Sequence, residues 1–408
     1  NKENNVFQLV VQYGAGEREF PKLGYAAQLM NNAGIMGAYE PQELKEELSK
    51  LNATCHVTAD DDNLYIIMEG YEATLPQACQ LLSRQILMPK LDEKQLARLK
   101  GSAMGMRQQR KDNVSILNEA LRQYMLYGEK SDYIKELTDK EIYELQISEL
   151  TGDINRASNY EAKVFFTGTL PFDQVYDILS KNLPLVANER PSNSPQAKDM
   201  MPVTENTVYF LPNNDAEQAQ IHLYIPMQKA DKKDDVLRSA FNQYFGLDFT
   251  GIVLNEIREK RSMAYTAYAF VGTQGIAGKA SYLRGYIGTQ NDKANDALDV
   301  LMGLVNDMPK NPERIDNIKS YLRQAMLTSH PSFRNKAMEL VDLGYRGYTD
   351  DPAKENLPKV DALTFDDIVK FYEENIKDKP YCISIMGNPK NIDLERLEKF
   401  GKVVKLNE

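Results

Sequence analysis

The strongest constraint on the fold is that the chain reads twice. Lys163-Val164-Phe165-Phe166-Thr167-Gly168 lines up with Cys382-Ile383-Ser384-Ile385-Met386-Gly387. At the same offset, Leu96-Ala97-Arg98-Leu99-Lys100 lines up with Ile315-Asp316-Asn317-Ile318-Lys319. One offset serving two separated segments points to a duplicated domain. Between the copies, residues 188–205 hold three prolines, polar side chains and no apolar periodicity, the composition of a linker. The expected organisation is a first domain over 1–190, a linker over 191–205 and a second domain over 206–408.

Each half has the same order of elements. In the first, strands are expected up to Tyr13, over 54–59 and 64–69, and over 162–166. Asp60-Asp61-Asp62-Asn63 forms a hairpin turn. Helices are expected over 22–30, 42–51, 73–87 and 92–110. Leu75, Ala78, Leu82 and Ile86 form one apolar face of the third. In the second half, Ile221-His222-Leu223-Tyr224-Ile225 alternates as a strand, and a helix includes Glu256-Ile257-Arg258-Glu259-Lys260. Strands near 265–271 and 280–288 follow, then helices over 294–308, from Pro312 and from Phe365, and a strand over 381–386. Thr364-Phe365-Asp366-Asp367 resembles a capping box, and Phe365, Ile368, Phe371 and Ile376 face inward. Hairpins mixed with paired helices imply α+β domains rather than a doubly wound sheet.

Composition narrows the function. A formal net charge of −10 argues against a nucleic-acid binder. No apolar run is long enough to span a bilayer, so a soluble protein is expected. Cys55, Cys79 and Cys382 have no CxxC spacing, which points to neither a disulfide framework nor a thiolate metal site. The sequence starts at Asn1 without a leader and enters a strand at once, as a piece of a longer chain or a processed start would.

Few residues can carry chemistry. His56, His222 and His330 lack a second His or Glu at helical metal-ligand spacing, and read as sheet-face or surface histidines. Gly275-Ile276-Ala277-Gly278-Lys279-Ala280 lacks phosphate-loop spacing and reads as a hairpin turn. The acidic run Asp60–Asp62 reads as turn chemistry. The remaining candidate is the helix-to-strand turn after Glu256. There Arg258 offers a donor fork and Tyr265 one OH donor, and both can aim at one spot. The same residues also read as helix C-terminal charge complementation, with Glu256 and Lys260 an ordinary i,i+4 pair.

Leu254–Tyr265, LNEIREKRSMAY, resembles the Arg/Tyr motif of the pitrilysin/insulinase family of inverted zinc peptidases, which includes the mitochondrial processing peptidases. Tyr13-Gly14-Ala15-Gly16-Glu17 and Leu23-Gly24-Tyr25-Ala26 resemble the strand and helix that carry HxxEH in active halves. Where that motif would place His, Glu and His, this chain has Ala27, Met30 and Asn31. The downstream glutamate ligand is missing too, Asp112 being the only acidic residue from Lys94 to Asn118. The resemblance therefore implies the half without zinc: two similar α+β domains, each a mainly antiparallel sheet with helices on one face, forming half of a clamshell. It implies Arg258 and Tyr265 as catalytic donors to a partner half's site. It also implies zinc in an HxxEH-bearing partner half, fused upstream or separate, and none in this chain. Extended peptides are the implied substrates, and a periplasmic setting is favoured over a cytoplasmic one. The rival reading is a purely structural or chaperone-like peptide-binding half.

Overall fold

Strands with one apolar face must cover it, and both halves do so by pairing strands antiparallel beneath helices. The structure, a computed structural model, describes residues 4–111, 113–183, 190–246 and 250–407. It forms two units. The first comprises Asn1–Arg110, Glu136–Gln196 and Pro331–Val341, and the second Lys111–Lys135, Ala197–His330 and Asp342–Glu408.

The strands of the first unit are β1 (Val6–Tyr13), β2 (Gly34–Ile35), β3 (Thr54–Ala59), β4 (Leu64–Tyr71), β5 (Pro89–Lys90) and β6 (Ala162–Thr167). Four form a sheet in the order β3-β4-β1-β6, and β2 pairs with β5 as a two-residue ladder. Phe7, Leu9 and Val11 of β1 and Leu64, Ile66 and Met68 of β4 point to one face, as period-two alternation requires. The helices Leu23–Met30, Pro41–Lys50, Leu75–Leu87 and Ile147–Ala157 bury their apolar residues in the same core.

The second unit holds β7 (Thr207–Pro212), β8 (Gln218–Lys229), β9 (Ala264–Thr273), β10 (Ala280–Gln290), β11 (Cys382–Gly387) and β12 (Lys402–Lys405), in the order β12-β7-β11-β8-β10-β9. The stretch β9-β10-β8-β11 has the same order and antiparallel sense as β3-β4-β1-β6. Beyond it, β7 and β12 add parallel pairs. The helix Phe365–Asn375 starts with the capping box: Thr364 N donates to Asp367 Oδ2 at 2.8 Å and Asp367 N donates back to Thr364 Oγ1 at 3.3 Å. Its Phe365, Ile368 and Phe371 enter the main core, followed by Ile376.

The two sheets share an edge device. Asn31 donates through Nδ2 to Val57 O at 2.8 Å, and its Oδ1 accepts from Val57 N at 2.7 Å. Asn242 does the same to Val271, at 3.0 and 2.6 Å. Val57 lies on β3 and Val271 on β9, the corresponding outer strands. Each amide satisfies a backbone donor and acceptor that would otherwise be an open template for another strand.

The helix Val114–Tyr127 belongs to the second unit although it lies early in the chain. Leu117 and Leu121 pack with Leu211 of β7 and Met386 of β11, while Met125 and Leu126 pack with Tyr224 and Cys382. The units are therefore interleaved in sequence. The linker divides likewise: Asn193 N donates to Gly14 O at 2.8 Å in the first unit, and Met201 N to Leu126 O at 2.7 Å in the second. Residues 188 and 189 of the expected linker, and Asp112, lie outside the described residues.

Candidate functional site

The turn Leu254–Tyr265 is shaped by two local irregularities. Its helix widens into a π turn over Asn255–Glu259, with Lys260 N donating to Asn255 O at 2.9 Å. Ile257 is buried and anchors the turn in the core. Ser262, at φ 51°, ends it in the left-handed region, its N–H donating to Arg258 O at 2.8 Å, and Met263 N donates to Ile257 O at 3.0 Å. In β9, Ala264 pairs with Thr289 and Thr266 with Gly288, so Tyr265 is the extra residue of a bulge. Its neighbours Ala264 and Ala267 are buried, whereas Tyr265 is 77% exposed.

These irregularities bring the two predicted site residues together. The Arg258 guanidinium lies 5.2 Å from the centroid of the Tyr265 ring, in cation–π range. Both line an open pocket of about 460 Å³ with Gln218, Ser262, Thr289 and Lys293. Arg258 Nε is 3.5 Å from Glu259 Oε1, and Lys293 Nζ is 3.5 Å from Ser262 O. The i,i+4 pair read from the sequence is also present, Lys260 Nζ reaching Glu256 Oε1 at 2.6 Å. Arg261 joins the same carboxylate, and the bonds from Lys260 and Arg261 hold the Glu256 carboxyl below the usual carboxylate range. Lys293 and Gln218 had no local signal in the sequence. The β8-β10 ladder and the turn after β10 deliver them.

The other candidates stand elsewhere. His56 is exposed on β3, and His330 is exposed just beyond the helix Ile315–Thr328. His222 is 2% exposed, its Nε2 2.8 Å from Asn118 Oδ1. The Asp60 run is a turn, in which Asp60 Oδ1 accepts from Asp62 N and Asn63 N at 2.8 and 2.7 Å. Gly275 and Gly278, both at φ 74°, make the β9-β10 hairpin loop.

The residues at the HxxEH positions do not fit zinc. Ala27 and Met30 are core side chains, and the Asn31 amide is committed to the β3 edge. Among the described residues no group of three His, Cys, Asp or Glu is placed to hold a metal ion. No described helix is long and apolar enough to cross a membrane.

The model of a family described as the peptidase M16 inactive domain matches residues 158–322, which include Arg258, Tyr265 and Lys293. Residues 158–322 of the chain thus resemble an M16 inactive domain. Peptidase M16 is the zinc metallopeptidase family that the pitrilysin-like motif indicated, and the match is to its zinc-less half. Solved structures with this fold include a peptidase M16 inactive domain from Pseudomonas fluorescens. It is 17% identical, with a TM-score of 0.74 over 96% of this chain and 95% of that one. The periplasmic protease PqqL from Escherichia coli is 13% identical with a TM-score of 0.72, over 95% of this chain. The ferredoxin protease FusC, in complex with Arabidopsis ferredoxin, is 12% identical with a TM-score of 0.75, over 94% of this chain. This chain spans 43% of PqqL and 42% of FusC, less than half the length of each. Among curated proteins none matches the chain in sequence.

Proposed function

We propose that this chain is the non-zinc-binding half of a zinc metallopeptidase, closing over extended peptides and supplying Arg258 and Tyr265 to the partner half's site. The observation that carries the proposal is their convergence on one open pocket. A core-filling tyrosine would be buried, whereas this one is put out by a bulge and stacked under a guanidinium. The Tyr265 OH would donate to the oxyanion that develops at the scissile carbonyl. The Arg258 fork would hold a neighbouring substrate carbonyl. Lewis-acid activation would come from the partner half's zinc. The shared strand order supports a pair of duplicated α+β domains as half of a clamshell. A periplasmic setting accords with the likeness to PqqL.

The test is reconstitution with an HxxEH-bearing M16 half. Metal analysis should find no stoichiometric zinc in this chain alone, and neither half alone should cleave a peptide that the mixture cleaves. A partner half fully active without this chain would contradict the proposal and favour a structural or peptide-binding role.

A further inference from the structure

The pocket beside Tyr265 carries unbalanced charge, which bears on what it can hold. Four basic side chains surround the turn: Arg258, Lys260, Arg261 and Lys293. Glu256 takes Lys260 and Arg261 together, and neither of them lines the pocket. Arg258 and Lys293 do line it, and their contacts are loose. Glu259 sits 3.5 Å from the Nε edge of Arg258 with a side chain 56% exposed, and among the described residues Lys293 reaches only a backbone carbonyl, also at 3.5 Å. Among the described residues, Glu259 is the one acidic residue lining the pocket. Among the described residues, no side chain hydrogen-bonds the two terminal nitrogens of Arg258. The pocket thus offers a planar fork and a point ammonium against one carboxylate on its rim.

We propose that this pocket binds a carboxylate of the peptide substrate, held between Arg258 and Lys293. The inference rests on the reading that the pocket faces substrate. Lys293 supplies a charge that needs no fixed geometry, and the terminal nitrogen of Arg258 not taken by the substrate carbonyl adds a charged donor beside it. The net charge of −10 does not oppose this at close range. At physiological ionic strength fields are screened beyond about 8 Å, so the nearest charges decide. The carboxylate could belong to an acidic side chain or to a free C-terminus. Both present the same two oxygens.

The experiment uses fluorescein-labelled peptides that differ only by Glu or Gln at successive positions around the scissile bond, each with a free or an amidated C-terminus. In the reconstituted two-half enzyme, the Glu-over-Gln ratio of kcat/KM should be on the order of tenfold at one position, as for a charge-assisted hydrogen bond. Lys293→Met should bring that ratio towards one, Lys293→Arg should keep it, and Lys293→Glu should invert it in favour of the Gln-bearing peptides. A Glu-over-Gln preference that survives amidation assigns the site to a side chain, and a preference for the free over the amidated peptide with a Glu-over-Gln ratio near one assigns it to the C-terminus. The same peptides titrated against this chain alone, read by anisotropy, give the affinity ratio without cleavage. Equal ratios for wild type and Lys293→Met in both assays would overturn the inference while leaving Tyr265-dependent cleavage untouched. Loss of that dependence with the ratio intact would overturn only the catalytic reading.

Discussion

Acidification should destabilise the second unit through one histidine. His222 on β8 lies under the helix Val114–Tyr127, its Nε2 bonded to the side-chain oxygen of Asn118, while buried Nδ1 has no hydrogen-bond partner among the described residues. Burial, reinforced by the charges of Arg284 and Arg122, pushes its pKa from 6.5 down to about 3. In the unfolded chain the imidazole titrates near its ordinary value, about 6.5. Between those values the unfolded state binds one more proton, so stability is full above the unfolded pKa and falls as pH drops towards the folded one. The slope is about 1.4 kcal/mol per pH unit, so roughly 2–3 kcal/mol is lost between pH 6.5 and 4.5. That is a large share of the roughly 5–15 kcal/mol of a typical domain. Urea unfolding from pH 7 to 4.5 would compare wild type with His222→Gln, which cannot titrate. At pH 7 the variant should be weaker by about 1–2 kcal/mol for the altered bond to Asn118. On acidification wild type alone should lose the further 2–3 kcal/mol, so the curves converge and cross. Carboxylates common to both cancel in the difference. Curves parallel within about 0.5 kcal/mol would refute the argument.

Two further outcomes test the packing. Asn242→Ala strips Val271 of the partners for both its N–H and C=O, and should cost about 2–3 kcal/mol by thermal or urea unfolding, as should Asn31→Ala at Val57; a loss under about 0.5 kcal/mol would mean water replaces the amide. Leu121→Ala should cost about 2–4 kcal/mol, read as faster hydrogen exchange in β7 and β11 with β1 and β4 unaffected; equal loosening of β1 and β4 would contradict the assignment of that helix to the second unit.

How much of this was legible depends on range. Local signals served well. Short strand-like stretches gave β1, β3 and β4, the Asp60–Asn63 run gave the hairpin turn between β3 and β4, and Thr364 gave a helix start. The helix Val114–Tyr127 shows why topology was harder. Leu117, Leu121 and Met125 declare an apolar stripe, but no stripe says which sheet it will cover. At the site, Arg258 and Tyr265 were named from a motif. The π turn and the bulge that aim them leave no mark on residue choice, because both are settled by packing Ile257 and pairing Ala264. Lys293 lies on a different turn from Tyr265 and joins the pocket only once β9 and β10 have paired.

The most direct test of the central claim is Tyr265→Phe in the reconstituted two-half enzyme. The substitution removes one OH from a side chain that is 77% exposed and keeps the ring beneath Arg258, so unfolding free energy should change by less than about 0.5 kcal/mol. If that OH donates to the developing oxyanion, kcat should fall by roughly 10²–10³ with little change in KM. Full kcat at unchanged stability would contradict the account.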